Sequence, residues 1–319
     1  MADSSYSSLR GRVLRSTGSW YLVRLDDGRR VDCRVKGKFR LEGEKITNPV
    51  AVGDKVVVEL EESVQTAVIA EILPRTNYIS RQSPRQKQAR HIIAANIDQA
   101  FLIATVAMPR TSTGFIDRFL LTAEAYGIPA HIIFNKQDIL GEKELAKQDE
   151  VVKIYRHISY PVHLISALSA PDVETIKSLM DGRTTLLAGH SGVGKSTLIN
   201  AIHPQANLRT GHISDFSLKG KHVTTFAEML ELPFGGYVVD TPGIKEFGLL
   251  DIEPEEVSHY FREMRDLLSC CKFNNCLHIN EPKCAVRQAV QEGKIPEERY
   301  KNYLNILEDC QTSKKQQYE

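Results

Sequence analysis

The octapeptide from Gly189 to Ser196, GHSGVGKS, fits G-x-x-x-x-G-K-[ST] and constrains the fold more tightly than any other stretch. The apolar run RTTLLA precedes it and the helical pattern STLINAI follows, which is the strand–loop–helix context such a loop needs. The glycines let the backbone curl, so that N–H groups of Gly189, His190, Ser191, Gly192, Val193, Gly194 and Lys195 can point inward at phosphate oxygens. Lys195 would set its ammonium on the β- and γ-phosphates and Ser196 its hydroxyl on Mg²⁺. The helix holding Ser196 and Thr197 would aim its positive end at the ligand. The competing reading is a chance glycine-rich turn.

A second stretch, VVDTPG at 238–243, supports the first. Its apolar strand would deliver Asp240 to the metal, usually through a water, and Gly243 would turn its N–H toward the γ-phosphate. Alone, D-T-P-G is a common strand-ending turn. A third stretch, Asn135-Lys136-Gln137-Asp138, ends another apolar run, HIIF. Asp138 can accept from guanine N1–H and N2–H₂ together, a pair that adenine lacks, and such a site discriminates by roughly 10⁴-fold. Asn135 would brace the loop and reach the base edge, and Lys136 would lay its stem along the ring. In ISALS, backbone N–H groups of Ser166 and Ala167 could meet guanine O6. GTP or GDP is therefore the expected nucleotide. In an ordinary GTPase the phosphate loop precedes the base clamp; here the clamp comes first by about fifty residues.

The 130 residues before the clamp fall into two patterns. RGRVLRS, SWYLVRL, RRVDCRV, DKVVVEL and TAVIAEIL are short, β-rich and alternating, with a hairpin turn at DDG, 26–28. Five such strands in about 65 residues suit an OB-like barrel, a fold that often binds oligonucleotides, or an SH3-like barrel without a ligand. RTNYISRQSPRQKQARHIIAA, 75–95, is basic, poor in apolar residues and expected as a linker. From residue 97 strands and helices alternate, which predicts a doubly wound parallel sheet with Ile116, Phe119, Leu120 and Ala123 on one helix face. After 250 the chain reads as helical. The expected layout is 1–75 OB-like, 76–95 linker, 96–250 α/β GTPase, and 251–319 a helical metal-binding domain.

Charge bears on partners. The chain is net +1, but residues 1–90 hold 17 Lys+Arg against 11 Asp+Glu, about +6, leaving about −5 for the rest. That asymmetry points to a polyanion such as nucleic acid, or to a solvated basic surface. No apolar run approaches the eighteen or so residues of a membrane helix, and the first twenty lack the apolar core of a signal peptide. A cytoplasmic, monomeric protein without membrane contact is expected. In that compartment Cys270, Cys271, Cys276 and Cys284, within fifteen residues, favour a metal over disulfides. Cys271-x₄-Cys276-x-His278-x₅-Cys284 offers three sulfurs and one imidazole, a set suited to one structural Zn²⁺. A reduced cysteine pair or an iron–sulfur cluster remains open, and Cys270 could substitute in register. Chelation is expected to loosen this domain and leave GTP binding largely intact.

The order of clamp, Ser-Ala loop, phosphate loop and D-T-P-G is circularly permuted. With IDRFL, GHSGVGKSTLIN and DTPGIKEFGL, it resembles the RsgA (YjeQ) family of bacterial ribosome-assembly GTPases over nearly the whole chain. The resemblance implies an OB domain, a permuted GTPase and a zinc domain with this cysteine spacing. It also implies binding to the small ribosomal subunit and its rRNA late in maturation, with GTP hydrolysis stimulated there. Ile244 stands where a Ras-like enzyme places its water-orienting Gln, so the water is oriented from elsewhere or the free enzyme is slow. SLKGKHVTTF, 217–226, occupies the first switch position. Thr224 or Thr225 would hold Mg²⁺, and the family's catalytic histidine maps to His222, which could instead be a surface residue touching RNA. Potassium-dependent relatives carry Asn where this chain has Gly192, so no potassium requirement is expected. The permutation carries the chain from Gly243 straight into the zinc domain, a route by which the γ-phosphate could signal to it. A second reading makes the protein an RNA-binding assembly platform in which GTP is mainly an affinity switch.

Overall fold

The computed structural model describes residues 8–35, 48–60, 67–82, 90–208, 228–240 and 252–318. The first five strands are β1 (Ser8–Ser16), β2 (Tyr21–Leu25), β3 (Arg30–Val35), β4 (Lys55–Leu60) and β5 (Ala67–Ile72). They hydrogen-bond in the order β1-β2-β3-β5-β4 and close through β1–β4. Alternation in the sequence becomes the barrel's inside and outside: Val13, Tyr21, Val23, Leu25, Cys33, Val56, Val58 and Ile69 fill its core. The DDG turn joins β2 to β3 with Gly28 at φ +92°.

The basic stretch expected as a linker contains an antiparallel hairpin, β6 (Tyr78–Gln82) and β7 (Arg90–Ala95). Its few apolar residues lie at the paired ends, where Ile79, Ile92, Ala94 and Ala95 are buried. Below it, the buried Asp54 carboxylate forms a two-pronged pair with Arg75, at 2.7 Å on each oxygen.

The doubly wound part comprises β8 (Gln99–Ala104), α1 (Thr113–Ala125), β9 (Ala130–Phe134), α2 (Glu142–His157), β10 (Val162–Leu164), α3 (Ala170–Met180), β11 (Thr184–Ala188), α4 (Lys195–Ile202), β12 (Glu228–Glu231) and β13 (Tyr237–Asp240). The sheet order is β10-β9-β8-β11-β13-β12, parallel except for β12 against β13. The chain runs outward from β8 to β10, then returns to β11 beside β8 and runs the other way. That reversal is a topological switch point, and ligands bind beyond the carboxyl ends of such strands. Ile116, Phe119, Leu120 and Ala123 of α1 are all buried, as their spacing predicted. The sheet continues into the barrel, since β12 also pairs with β1 at Glu228 and Arg15.

A 3-10 turn (Pro254–Tyr260), α5 (Arg262–Leu268), α6 (Ala285–Gln291) and α7 (Glu297–Tyr318) form the C-terminal unit. Its core contains Val257, Phe261, Met264, Tyr303, Ile306 and Leu307, together with Leu121 of α1.

Candidate nucleotide site and metal centre

The phosphate loop leaves β11, a strand buried at every position. Gly189, Gly192 and Gly194 have φ of +142°, +82° and +99°, conformations that L side chains rarely adopt. Space excludes side chains as well. A Cβ at Gly189 would lie 2.3 Å from the carbonyl oxygen of Ile103, and one at Gly194 2.3 Å from Asn135 Nδ2. Val193 is fully buried and anchors the loop, while Ser191 and Gly192 are exposed at its crest. Lys195, Ser196 and Thr197 open α4, half-buried. Lys195 Nζ donates to the carbonyls of Gly189 and His190 at 2.7 and 2.8 Å, so its ammonium already lies inside the loop's curl.

Asn135, 2% exposed at the end of β9, ties three segments together. Its Nδ2 donates to the Val193 carbonyl at 2.9 Å, and its Oδ1 accepts from Ala167 N at 2.9 Å. The expected brace is present, and both ends of the amide are engaged in it. Lys136 sits at φ +70° and donates from Nζ to the Met108 carbonyl at 2.5 Å. Asp138 lies in a 3-10 turn, where the Ser166 hydroxyl donates to its Oδ1 at 2.5 Å. Ser166 thus aims the clamp carboxylate through its side chain, a role the sequence did not indicate. The Ser166 and Ala167 N–H groups, expected to face a base oxygen, donate to Asp172 and Asn135.

Asp240 ends β13, paired in register with Leu187 of β11, two residues before the phosphate loop starts. His222, Thr224, Thr225, Gly243 and Ile244 lie outside the described residues.

The four predicted metal ligands converge. Ligand atoms of Cys271, Cys276, His278 and Cys284 all lie within 4.8 Å of one another. His278 Nδ1 is 3.6 Å from Cys271 Sγ and 3.3 Å from Cys284 Sγ, and those sulfurs are 4.0 Å apart. Zinc bond lengths in a tetrahedron require ligand separations of about 3.5–3.8 Å, so these three separations lie within about 0.3 Å of that frame and the donor set suits that ion. Cys270 is exposed and stands outside the group. Burial pushes the Cys276 thiol up to about 12, raises Cys284 and lowers His278. The imidazole is therefore a ready neutral ligand, and the thiols must shed protons to a cation.

The loop carrying His278 is held from behind. His278 has φ +58°. Glu281 accepts from the backbone N–H of Leu277, Ile279 and Asn280 at 2.7, 2.8 and 3.0 Å. Burial opposes that carboxylate's charge, but the backbone donors outweigh it and keep the group below its usual range. Tyr300 and Tyr303 donate to the carbonyls of His278 and Leu277 at 2.6 and 2.8 Å.

Comparison with known proteins identifies the family and fold. A family model described as RsgA GTPase matches residues 72–250, and one described as RsgA N-terminal domain matches 10–69. The small ribosomal subunit biogenesis GTPase RsgA of Phocaeicola vulgatus is 50% identical over 306 residues, covering 96% of this chain and 98% of that protein. Its Bacteroides fragilis counterpart is 51% identical over the same length and coverage. Among solved structures, YjeQ from Thermotoga maritima superposes with a TM-score of 0.77 at 37% identity, covering 95% of this chain and 99% of that one. YloQ, described as a circularly permuted GTPase, gives 0.75 at 31% identity, with 98% of each chain covered.

Proposed function

Because the chain belongs to the RsgA family of small ribosomal subunit biogenesis GTPases, we propose that its parts divide one task among them. The permuted domain binds and hydrolyses GTP, the barrel and the C-terminal domain hold the maturing subunit and its rRNA, and hydrolysis times release. The observation that carries the assignment of GTP to this site is Asn135, whose single amide joins the clamp, the phosphate loop and the Ser-Ala loop.

In this reading the backbone from Gly189 to Lys195 cradles the phosphates, and Lys195 leaves its two loop carbonyls to meet the β- and γ-oxygens. Asp138, aimed by Ser166, accepts from the guanine edge, with Lys136 along the ring. Ser196, Asp240 and Thr224 would hold Mg²⁺, whose charge offsets that developing on the phosphates. His222 orients or deprotonates the attacking water, which adds to the γ-phosphorus as the bond to GDP breaks. Cys271, Cys276, His278 and Cys284 would hold one Zn²⁺, with no position left open for chemistry.

The test is single-turnover and steady-state GTP hydrolysis with and without purified small ribosomal subunits. A large stimulation is expected, approaching the roughly 10³–10⁵-fold by which completing a GTPase site raises its rate. Unstimulated turnover with nucleotide-dependent subunit binding retained would favour the affinity-switch platform, to which the apolar Ile244 also lends support. His222→Ala should cut turnover and spare GTP affinity; loss of affinity alone would remove His222 from the catalytic role.

A further inference from the structure

Helix α1 and the segment leading into it touch both nucleotide motifs, and α1 meets the C-terminal unit along its side. At its start, the Phe115 ring lies 3.9 Å, centroid to centroid, from the His190 ring of the phosphate loop. The segment leading into α1 carries Pro109, which faces Gly192 across a space one methyl group would fill at 3.5 Å. It also carries Met108, whose carbonyl holds the clamp's Lys136. Along the other side, Thr113 donates to Glu298 at 2.7 Å, Arg118 pairs with Asp309 at 2.5 Å, and Glu124 pairs with Arg262 and Arg265, both at 2.5 Å.

Between these exposed and part-buried ties lies a fully buried one. Asp117, fully buried on α1, pairs with Arg299 of α7 at 2.5 Å. It also accepts from Tyr155 Oη at 2.7 Å and Asn302 Nδ2 at 2.6 Å. Arg299, 1% exposed, donates from Nε to Glu263 at 2.7 Å and lies 4.4 Å over the Phe261 ring. Burying three charges is a poor way to gain stability, since apolar residues of the same volume do as well. A planar guanidinium forked between two carboxylates fixes geometry instead.

We propose that Arg299 is a positioning residue for the nucleotide site: it fixes α1 through Asp117, and α1 fixes the phosphate loop through Phe115. The C-terminal domain then tunes nucleotide binding without touching the nucleotide. This route is separate from the one running through the segment after Gly243, and it rests on assigning GTP to the loop at 189–196. It predicts, against the expectation that metal removal spares GTP binding, that the two are linked, because the Phe261 ring under Arg299 belongs to the same core as the metal ligands Cys276 and Cys284.

The test is titration of the full-length protein with N-methylanthraniloyl-GDP and -GTP in excess magnesium. It compares wild type, Arg299→Met, Arg299→Lys, Phe115→Leu and the double Arg299→Met/Phe115→Leu, each checked for zinc content and far-ultraviolet dichroism. Arg299→Met is expected to weaken binding at least about five-fold, the lower end of inter-site coupling. Lys should recover part of the loss, and the double variant should bind no more weakly than the worse single, because both break one path. A folded, zinc-loaded Arg299→Met protein with wild-type affinity overturns the proposal, as do fully additive losses. Should Arg299→Met not fold, wild type stripped by a zinc-selective chelator serves instead. Faster hydrogen exchange in 112–125 and 189–197 with weaker GTP binding supports the proposal, and unchanged exchange with unchanged affinity overturns it. A wild-type protein that binds no guanine nucleotide overturns both this proposal and the assignment beneath it.

Discussion

Asp138 and Ser166 show how little separates a motif from a working group. In the proposed clamp the carboxylate would choose guanine by accepting two donors at once, so its charge and its direction would both matter. Asp138→Asn replaces one acceptor with a donor, which suits the extra oxygen of xanthine. Affinity for GTP should fall at least about 10²-fold and XTP should become the preferred nucleotide, measured by competition titration. Unchanged GTP preference would place the clamp elsewhere. Ser166→Ala keeps the charge and removes the 2.5 Å bond that aims it. One hydrogen bond of about 0.5–1.5 kcal/mol predicts a 2- to 10-fold loss of GTP affinity with no gain for XTP. The motif residues were legible because each motif sits in a few consecutive positions with fixed chemistry. What Asn135 does was half legible: its bond to Val193 joins groups 58 residues apart, and no local pattern records that pairing.

Among the elements, β9 and β10 carry a histidine pair that the nucleotide chemistry does not use. His131 Nδ1 lies 3.1 Å from His163 Nε2, with the rings stacked and Arg183 and Arg156 nearby. Burial, then His163 and Arg183, hold His131 down to about 4, and burial and Arg156 lower His163. Below an unfolded value of about 6.5 the unfolded chain takes up protons that the folded pair refuses. Their contribution is therefore complete above pH 6.5 and is lost as pH falls toward 4. Thermal melts at pH 7 and 5 should show wild type losing more stability than His131→Asn, and parallel losses would count against the pair. In the metal-binding unit, Glu281→Gln leaves all four ligands in place but weakens the three bonds that present His278. Zinc affinity, measured by chelator competition, should drop about 10- to 100-fold, as is usual for groups that orient ligands. Elements with strong periodicity, such as α1 and β2, could be read directly. The β6–β7 hairpin could not, because its apolar residues are few and sit at the ends of a long basic stretch. Its order comes from burial against the barrel's Val52 and Gly53, which is tertiary information.

Across the whole molecule, the permutation determines what is joined to what. β12 ends the run of GTPase strands, and an unpaired edge there would invite another strand. The barrel's β1 takes that place at Arg15 and Glu228. The junction is then pinned on both sides. Arg12 donates to Thr184 of β11 at 2.7 Å and lies 4.8 Å over the Tyr237 ring, while Glu231 of β12 receives Arg24 at 2.6 Å and Arg30 at 3.1 Å. The compositional asymmetry thus has two parts: some of the barrel's arginines pair across this seam, and the rest do not. Each exposed pair is worth about 0.2–1 kcal/mol and the cation–π contact about 0.5–1 kcal/mol, so the seam depends on their sum rather than on one bond. Arg12→Ala combined with Glu231→Ala should remove about 2 kcal/mol of coupling, while the barrel's own core, centred on Val13, Val23 and Ile69, stays whole. Calorimetry is then expected to resolve an earlier, separate barrel transition, and nucleotide affinity should stay near wild type because neither residue reaches the phosphate loop. A single unsplit transition at the wild-type temperature would mean that the strand pairing alone, and not these side chains, holds the barrel to the GTPase sheet.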